Sequence, residues 1–334
     1  MAASRMSTTG LDAPSNTSLK SVNGSTISVD LLESEEEIFT WQEVPDKGKG
    51  LVATRSIHRG ELLLAEPPLF SLEPSPSNSD ILAALAECTR EAQSEYFALP
   101  NEFKGRLLPA LGIFETNALY YNVHDSQRGC TREVVGIFLH GSRFNSSCTP
   151  NVSLTWDSTL GVMTFRTLRN IEEGVELCFN YTDVLATKEQ RQQCILEDRN
   201  FLCRCSTCEL EGVELAESDR RRSTIARLFD EVPNCGNEPT LGIRKIRLAL
   251  RLLKEERLVH YEASFCYDAF QFCVSVSDFI NAKAWIRRAW EVSCCTSGPD
   301  SNAARTFKTY WANPRGHHLA GGLPKATLSG PDSR

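Results

Sequence analysis

An α+β fold is predicted, and three observations predict it. Strand-like segments separated by turn signals fill much of residues 38–72 and 152–181. Apolar residues spaced three and four apart take over after Cys208. At the changeover stands a Cys-x-Cys-x-x-Cys run, Cys203, Cys205 and Cys208.

Met1 to about Asp30 is rich in Ser, Thr and Asn and poor in large apolar residues, so disorder is expected there. An acidic cluster, Glu33 and Glu35 to Glu37, leads into Ile38-Phe39-Thr40-Trp41, the first strand-like text. Leu51 to Thr54 and Leu62 to Glu66 read as strands, with His58-Arg59-Gly60 as a turn between them and Pro67-Pro68 as a stop. Helical spacing then runs from Ile81 to about Leu111, and residues 112–139 are mixed. Val152 to Trp156 and Val162 to Thr167 form a hairpin around Asp157 to Gly161. Glu176 to Tyr181 is a further strand. Ile243 to Glu256, Tyr261 to Val276 and Asn281 to Val292 are helices, the last two resembling a tetratricopeptide pair. Pro314 to Arg334, rich in Gly and Pro, is expected to fray.

Composition narrows the function classes. The chain has 334 residues, 41% hydrophobic and 24% charged, as in ordinary globular proteins. A net charge of −7 supplies no global basic field, so direct nucleic-acid binding is not expected. Met1 to Gly10 has no apolar signal core, and no apolar run reaches the roughly 18 residues of a membrane span. An intracellular protein, in nucleus, cytoplasm or both, is expected. Thirteen cysteines, an odd number, argue for metal binding and burial rather than a disulfide framework.

Three motifs carry chemistry. Lys47-Gly48-Lys49-Gly50 precedes a strand, and its glycines allow a tight turn with close backbone approach to a ligand. Gly141 to Val152 is dense in side chains that bond to backbone, with Asn145 offering both a donor and an acceptor. Phe179-Asn180-Tyr181-Thr182 ends a strand ahead of the cysteine run. Three thiolates in one short loop suit zinc, which takes a fourth ligand from elsewhere. Cys148 is the best candidate, since it too lies in a loop-forming motif; Cys130, Cys178 and Cys194 are the others.

Together these residues resemble the SET domain. Gly48-Lys49-Gly50 is similar to its first cofactor turn. Arg143 to Asn151 is similar to its Asn-His-Ser-Cys-x-Pro-Asn signature. Glu176 to Tyr181 is similar to its catalytic strand, and Cys203, Cys205 and Cys208 to its post-SET cysteines. The resemblance covers about residues 38–210 and is nearest the SET-and-MYND group and its fungal-type relatives. The MYND zinc module is missing, because no second paired-cysteine cluster lies in the insertion.

The resemblance implies a β-rich SET domain closed by a pseudoknot and interrupted by a helical insertion, followed by a tetratricopeptide-like α-helical region. The expected boundaries are a disordered segment at 1–36, a SET domain at 37–184 with its insertion at about 74–139, a post-SET zinc segment at 185–210, a helical region at 211–313 and a tail at 314–334. It implies transfer of methyl from S-adenosyl-L-methionine to a lysine of a histone or another protein. Backbone of Lys47, Gly48 and Lys49, with Asn117, Asn145, Ser146, Tyr181 and Phe201, would hold the cofactor. Phe179 and Tyr181 would line the lysine channel, Tyr181 being catalytic. Cys148, Cys203, Cys205 and Cys208 would hold a structural zinc. Two positions depart from the pattern: Ser146 stands for the usual histidine, and Arg199 for a frequent second tyrosine. They keep open the alternative of a SET fold that binds cofactor or partner but turns over weakly.

Overall fold

The computed structural model describes residues 37–125 and 130–332. The disorder expected at 1–36 lies outside the described residues.

The chain opens with an antiparallel hairpin, β1 (Phe39–Val44) and β2 (Gly48–Ala53), with Val44 opposite Gly48. The turn uses left-handed backbone at Asp46 (φ 59°) and Gly48 (φ 70°), residue types that tolerate it. There follow β3 (Leu62–Glu66), β4 (Phe70–Leu72), α1 (Asn78–Ala86), α2 (Arg90–Phe97), α3 (Pro109–Asn117), β5 (Leu119–Asp125) and β6 (Cys130–Ile137). Then come β7 (Asn145–Ser146), β8 (Val152–Asp157), β9 (Val162–Thr167) and β10 (Cys178–Phe179). The rest is helical: α4 (Lys188–Arg199), α5 (Gly212–Glu231), α6 (Pro239–Glu256), α7 (Glu262–Ser275), α8 (Phe279–Ser297) and α9 (Asn302–Ala312).

The strands form small sheets rather than one large one. β3, β9 and β8 make one antiparallel sheet and β4, β6 and β5 another. β7 and β10 pair in parallel, although the whole β8–β9 hairpin separates them in sequence. Leu51, Leu63, Phe144, Phe165, Leu177 and Phe179 fill the core beneath them. Small β-sheets come first and a helical C-terminal region follows, as the resemblance implies. Within that region α7 and α8 pack as a helical hairpin, and α6 buries Ile243, Ile246, Ala249, Leu252 and Leu253 on one face. That spacing puts apolar side chains on a single helical stripe, and each buried Leu or Ile contributes about 1.5–3 kcal/mol.

Three expectations need correction. The insertion is helical only to Asn117; Leu119 to Ile137 is a β-hairpin, in keeping with its β-branched and aromatic Tyr120, Tyr121, Val123, Val134 and Val135. The last strand is two residues long, and Glu176 makes only an isolated bridge to Val52. The C-terminal segment does not fray. Leu328 is buried and exchanges hydrogen bonds with the Asp278 carboxylate and the Asn281 amide, and Trp285 Nε1 donates to the Ser329 carbonyl at 2.9 Å. Glycine and proline allow an extended path here, and polar side chains of α8 hold it.

Between α6 and α7 sits His260, whose two ring nitrogens are buried without a hydrogen-bond partner. Burial, and then the nearby Arg222 charge, push its pKa down from 6.5 to about 4. The folded protein therefore holds it neutral while the unfolded chain takes up a proton below pH 6.5. Its contribution is complete above pH 6.5 and is lost as pH falls toward 4, amounting to about 3 kcal/mol. The urea midpoint should drop across that window, and His260→Leu should flatten the drop.

Candidate active site and cysteine cage

The turn before β2 meets β7 through side chains. Asn145 Nδ2 donates to the Lys49 carbonyl at 3.2 Å and to Glu176 Oε1 at 2.8 Å. Glu176 Oε2 in turn accepts from Lys47 Nζ at 2.6 Å. Gly50 makes this approach possible, since a Cβ there would lie 2.5 Å from Asn145 Nδ2 and 3.0 Å from Glu176 Oε1. Gly50→Ala is expected to cost about 1–3 kcal/mol, seen as a lower denaturation midpoint. No such collision exists at Gly48, where only the positive φ requires glycine.

The parallel β7–β10 pair brings the second and third motifs together. Ser147 N donates to the Phe179 carbonyl, and Asn151 clamps the far strand with both ends of its side chain: Nδ2 to the Glu176 carbonyl at 2.8 Å, Oδ1 from Cys178 N at 2.7 Å. Tyr181 N donates to the buried Ser146 hydroxyl at 3.2 Å, and Tyr181 Oη donates to the Phe144 carbonyl at 2.6 Å. Burial pushes the Tyr181 phenol well above the usual tyrosine range, with Arg199 pulling the other way, so the phenol stays protonated. Phe179 packs on Tyr181 with ring centres 4.9 Å apart, and Phe201 stands edge-on to it at 6.3 Å.

Thr116, Asn117, Phe179, Tyr181 and Arg199 line a small cavity. The Asn117 amide is committed to the Pro100 and Ile113 carbonyls, which fixes the end of α3 against the cavity. Sequence positions as far apart as Lys47 and Tyr181 thus share one neighbourhood, reached through Glu176, Asn145 and Ser146.

Behind it lies the cysteine cage. The sulfurs of Cys148, Cys203, Cys205 and Cys208 all lie within 4.8 Å of one another, and all four residues are buried. Cys130, Cys178 and Cys194 stand outside this group. A tetrahedral zinc with sulfurs at about 2.3 Å requires edges of about 3.8 Å, and Cys148 and Cys208 are 3.5 Å apart, so the cage fits. The hydrogen bonds from Cys148, then those from Cys203 and Cys208, hold the Cys205 thiol far below its ordinary range. Gln192 of α4 clamps the loop, exchanging two hydrogen bonds with the Cys203 backbone.

Two buried arginines flank the cage, each with a carboxylate partner: Arg191 with Asp219 at 3.6 Å and Arg222 with Glu256. Arg191 is fully buried, and its Nε and Nη2 have no hydrogen-bond partner. Burial opposes its charge, yet the Cys148 and Cys208 sulfurs hold its pKa above the ordinary arginine value. Arg222, also fully buried, donates to the carbonyls of Cys148 (2.9 Å) and Val184 (2.5 Å) and pairs with Glu256 at 2.8 Å.

Sequence reasoning placed Glu176 and Asn151 in motifs without giving either a role, and it passed over Gln192 and the Arg222–Glu256 pair. One signal was available: a lone carboxylate inside Val175-Glu176-Leu177-Cys178-Phe179 is headed for burial and needs a partner.

The SET domain profile matches residues 48–182. Histone-lysine N-methyltransferase set5 of Schizosaccharomyces pombe is 33% identical over 298 residues, 88% of this chain and 90% of that protein. Histone-lysine N-methyltransferase SMYD3 of Homo sapiens is 32% identical over 110 residues, 32% of this chain and 25% of its own length. N-lysine methyltransferase SMYD2 of Gallus gallus is 32% identical over 94 residues, 28% of this chain and 20% of that one. The alignment with the first runs through the hairpin turn, the β7–β10 pair, the cage and most of the helical region. This chain belongs to the SET-domain family and is a protein-lysine methyltransferase.

Proposed function

We propose that the methyl donor is S-adenosyl-L-methionine and that the acceptor is the side-chain amine of a lysine in a protein, histones being the first class to test. The observation that carries this is the meeting of the Lys47–Gly50 turn, Asn145 and Tyr181 in one neighbourhood. Backbone of Lys47, Gly48 and Lys49, with Asn145 and Ser146, would hold the amino-acid end of the donor. Phe201 would pack on its ring system, and Asn117 would border it. Bound there, the donor supplies an electrophilic methyl on a sulfonium.

The chain's own part is desolvation and alignment. Phe179 and Tyr181 wall a channel that strips water from the incoming amine and favours its neutral form. The Tyr181 hydroxyl, already fixed by its bond to Phe144, leaves its oxygen lone pairs to orient the amine hydrogens. Cys148, Cys203, Cys205 and Cys208 would hold a structural zinc, whose part would be to cross-link the loop that keeps Phe201 beside Tyr181. In subgroup the chain is read as SET-and-MYND-like without the MYND module, working in nucleus or cytoplasm. Among the described residues no helix is long and apolar enough to cross a membrane.

The test is label transfer from tritiated S-adenosylmethionine to purified core histones and to proteins of a cell lysate, with mass spectrometry locating the mark. Methyl-lysine is expected. Tight donor binding without label on any protein would favour the weak-turnover alternative.

A further inference from the structure

Arg199 ends α4 and reaches across to the C-terminus of α3. Its Nη1 donates to the carbonyls of Glu115 and Thr116, both at 2.9 Å, and its Nη2 to that of Ala118 at 3.0 Å. These carbonyls close a helix that leaves its last four acceptors unpaired within the helix. The guanidinium also lies 5.3 Å from the centre of the Tyr181 ring and borders the cavity that holds the Tyr181 and Phe179 side chains. Its partners are neutral carbonyl dipoles. Among the described residues no carboxylate lies within ion-pairing distance of it. The charge is therefore held rigidly by dipoles and makes no direct ion pair.

We propose that Arg199 is a positioning residue that sets the pH range of the reaction by holding a fixed positive charge beside the channel in which the target amine must lose its proton. This rests on the lysine reading above. A like charge disfavours the ammonium form, so the substrate proton leaves to solvent at lower pH than desolvation alone allows. The neutral nitrogen then bonds the methyl carbon as the carbon–sulfur bond breaks, its electron pair remaining on sulfur. The same guanidinium opposes the positive charge that grows on nitrogen during this step. Its benefit is thus confined to pH values below the amine's pKa, and above it the charge is neutral or harmful to rate.

Other groups face this charge. Glu115 from α3, Asp198 from α4 itself, Tyr120 from β5 and the Tyr181 phenol all interact with it or with one another. Of these Glu115 couples to it through space, and burial raises the Glu115 pKa while Arg199 lowers it. Removing the Glu115 carboxylate should act oppositely to removing Arg199, without touching the backbone carbonyl that Arg199 uses.

The experiment is the pH profile of kcat from pH 6 to 10, on the protein that the wild type methylates. Arg199→Gln should displace the acidic limb upward by about one unit, a roughly tenfold loss on that limb, and reach a plateau at least as high as wild type. Arg199→Lys should keep the wild-type limb even if its plateau falls. Glu115→Gln should move the limb downward, and it decides the matter if Arg199→Gln does not fold. Coincident limbs for wild type and Arg199→Gln, or for wild type and Glu115→Gln when the former cannot be made, overturn the proposal. A wild type that labels no protein at any pH overturns the lysine reading and this proposal with it.

Discussion

Tyr181→Phe is expected to cut methyl transfer by about a hundredfold or more while donor binding survives within a few-fold. The reason lies in what the hydroxyl touches. It donates its only proton to the Phe144 carbonyl at 2.6 Å, which leaves its oxygen lone pairs as acceptors, and burial keeps the phenol protonated. A phenylalanine keeps the ring packed between Phe179 and Phe201 and loses one hydrogen bond, worth about 1 kcal/mol. Turnover with labelled donor and calorimetric binding of the donor separate the two effects. Equal turnover in wild type and variant would remove Tyr181 from the chemistry.

Cys148→Ser is expected to lower zinc content from one per chain toward zero and to abolish donor binding along with it. Cys148 is the one cage ligand supplied by the β7–β8 connection; the other three come from the loop after α4. Losing it unties that loop from the strands and frees Phe201. Structural zinc is worth about 10–16 kcal/mol in isolated modules, and forfeiting even a third of that lowers the melting temperature of a chain this long by about 5–8 °C. Incubation with a chelator should reproduce the result. Cys130→Ser, exposed and outside the cage, is the control and should change neither zinc nor melting. A zinc-free chain as stable as wild type, and indifferent to Cys148→Ser, would refute a structural metal.

What could be read from the sequence was what local chemistry encodes. Cys203, Cys205 and Cys208 lie within one loop, so their joint use follows from spacing alone, and Cys148 is the fourth buried cysteine beside them. The Val152–Thr167 hairpin follows from alternation around a turn, and α6 from its stripe. The failures share another cause. Glu176, Asn151 and Arg222 take their roles from partners 25 to 129 positions away, which no local pattern displays. The expectation that the C-terminal segment frays rests on its Gly and Pro content, a local property. Asp278, Asn281 and Trp285 hold that segment through hydrogen bonds to Leu328 and Ser329. The hairpin within the insertion was hidden by its position after three helices.

The Arg222–Glu256 pair has a consequence for how the molecule can be divided. Glu256 accepts from Arg222, Arg221 and Ser218, and Arg222 passes that hold to the carbonyls of Cys148 and Val184. The methyl-transfer half and the helical half therefore share a keystone whose two faces belong to different halves. A chain ended at residue 210 would leave two interior carbonyls with no donor, and Glu256→Ala would strand a cation in the interior, at a cost of about 3–5 kcal/mol. Exchanging the helices for others would require a new buried donor for the same two carbonyls, so the two halves are tied at this point.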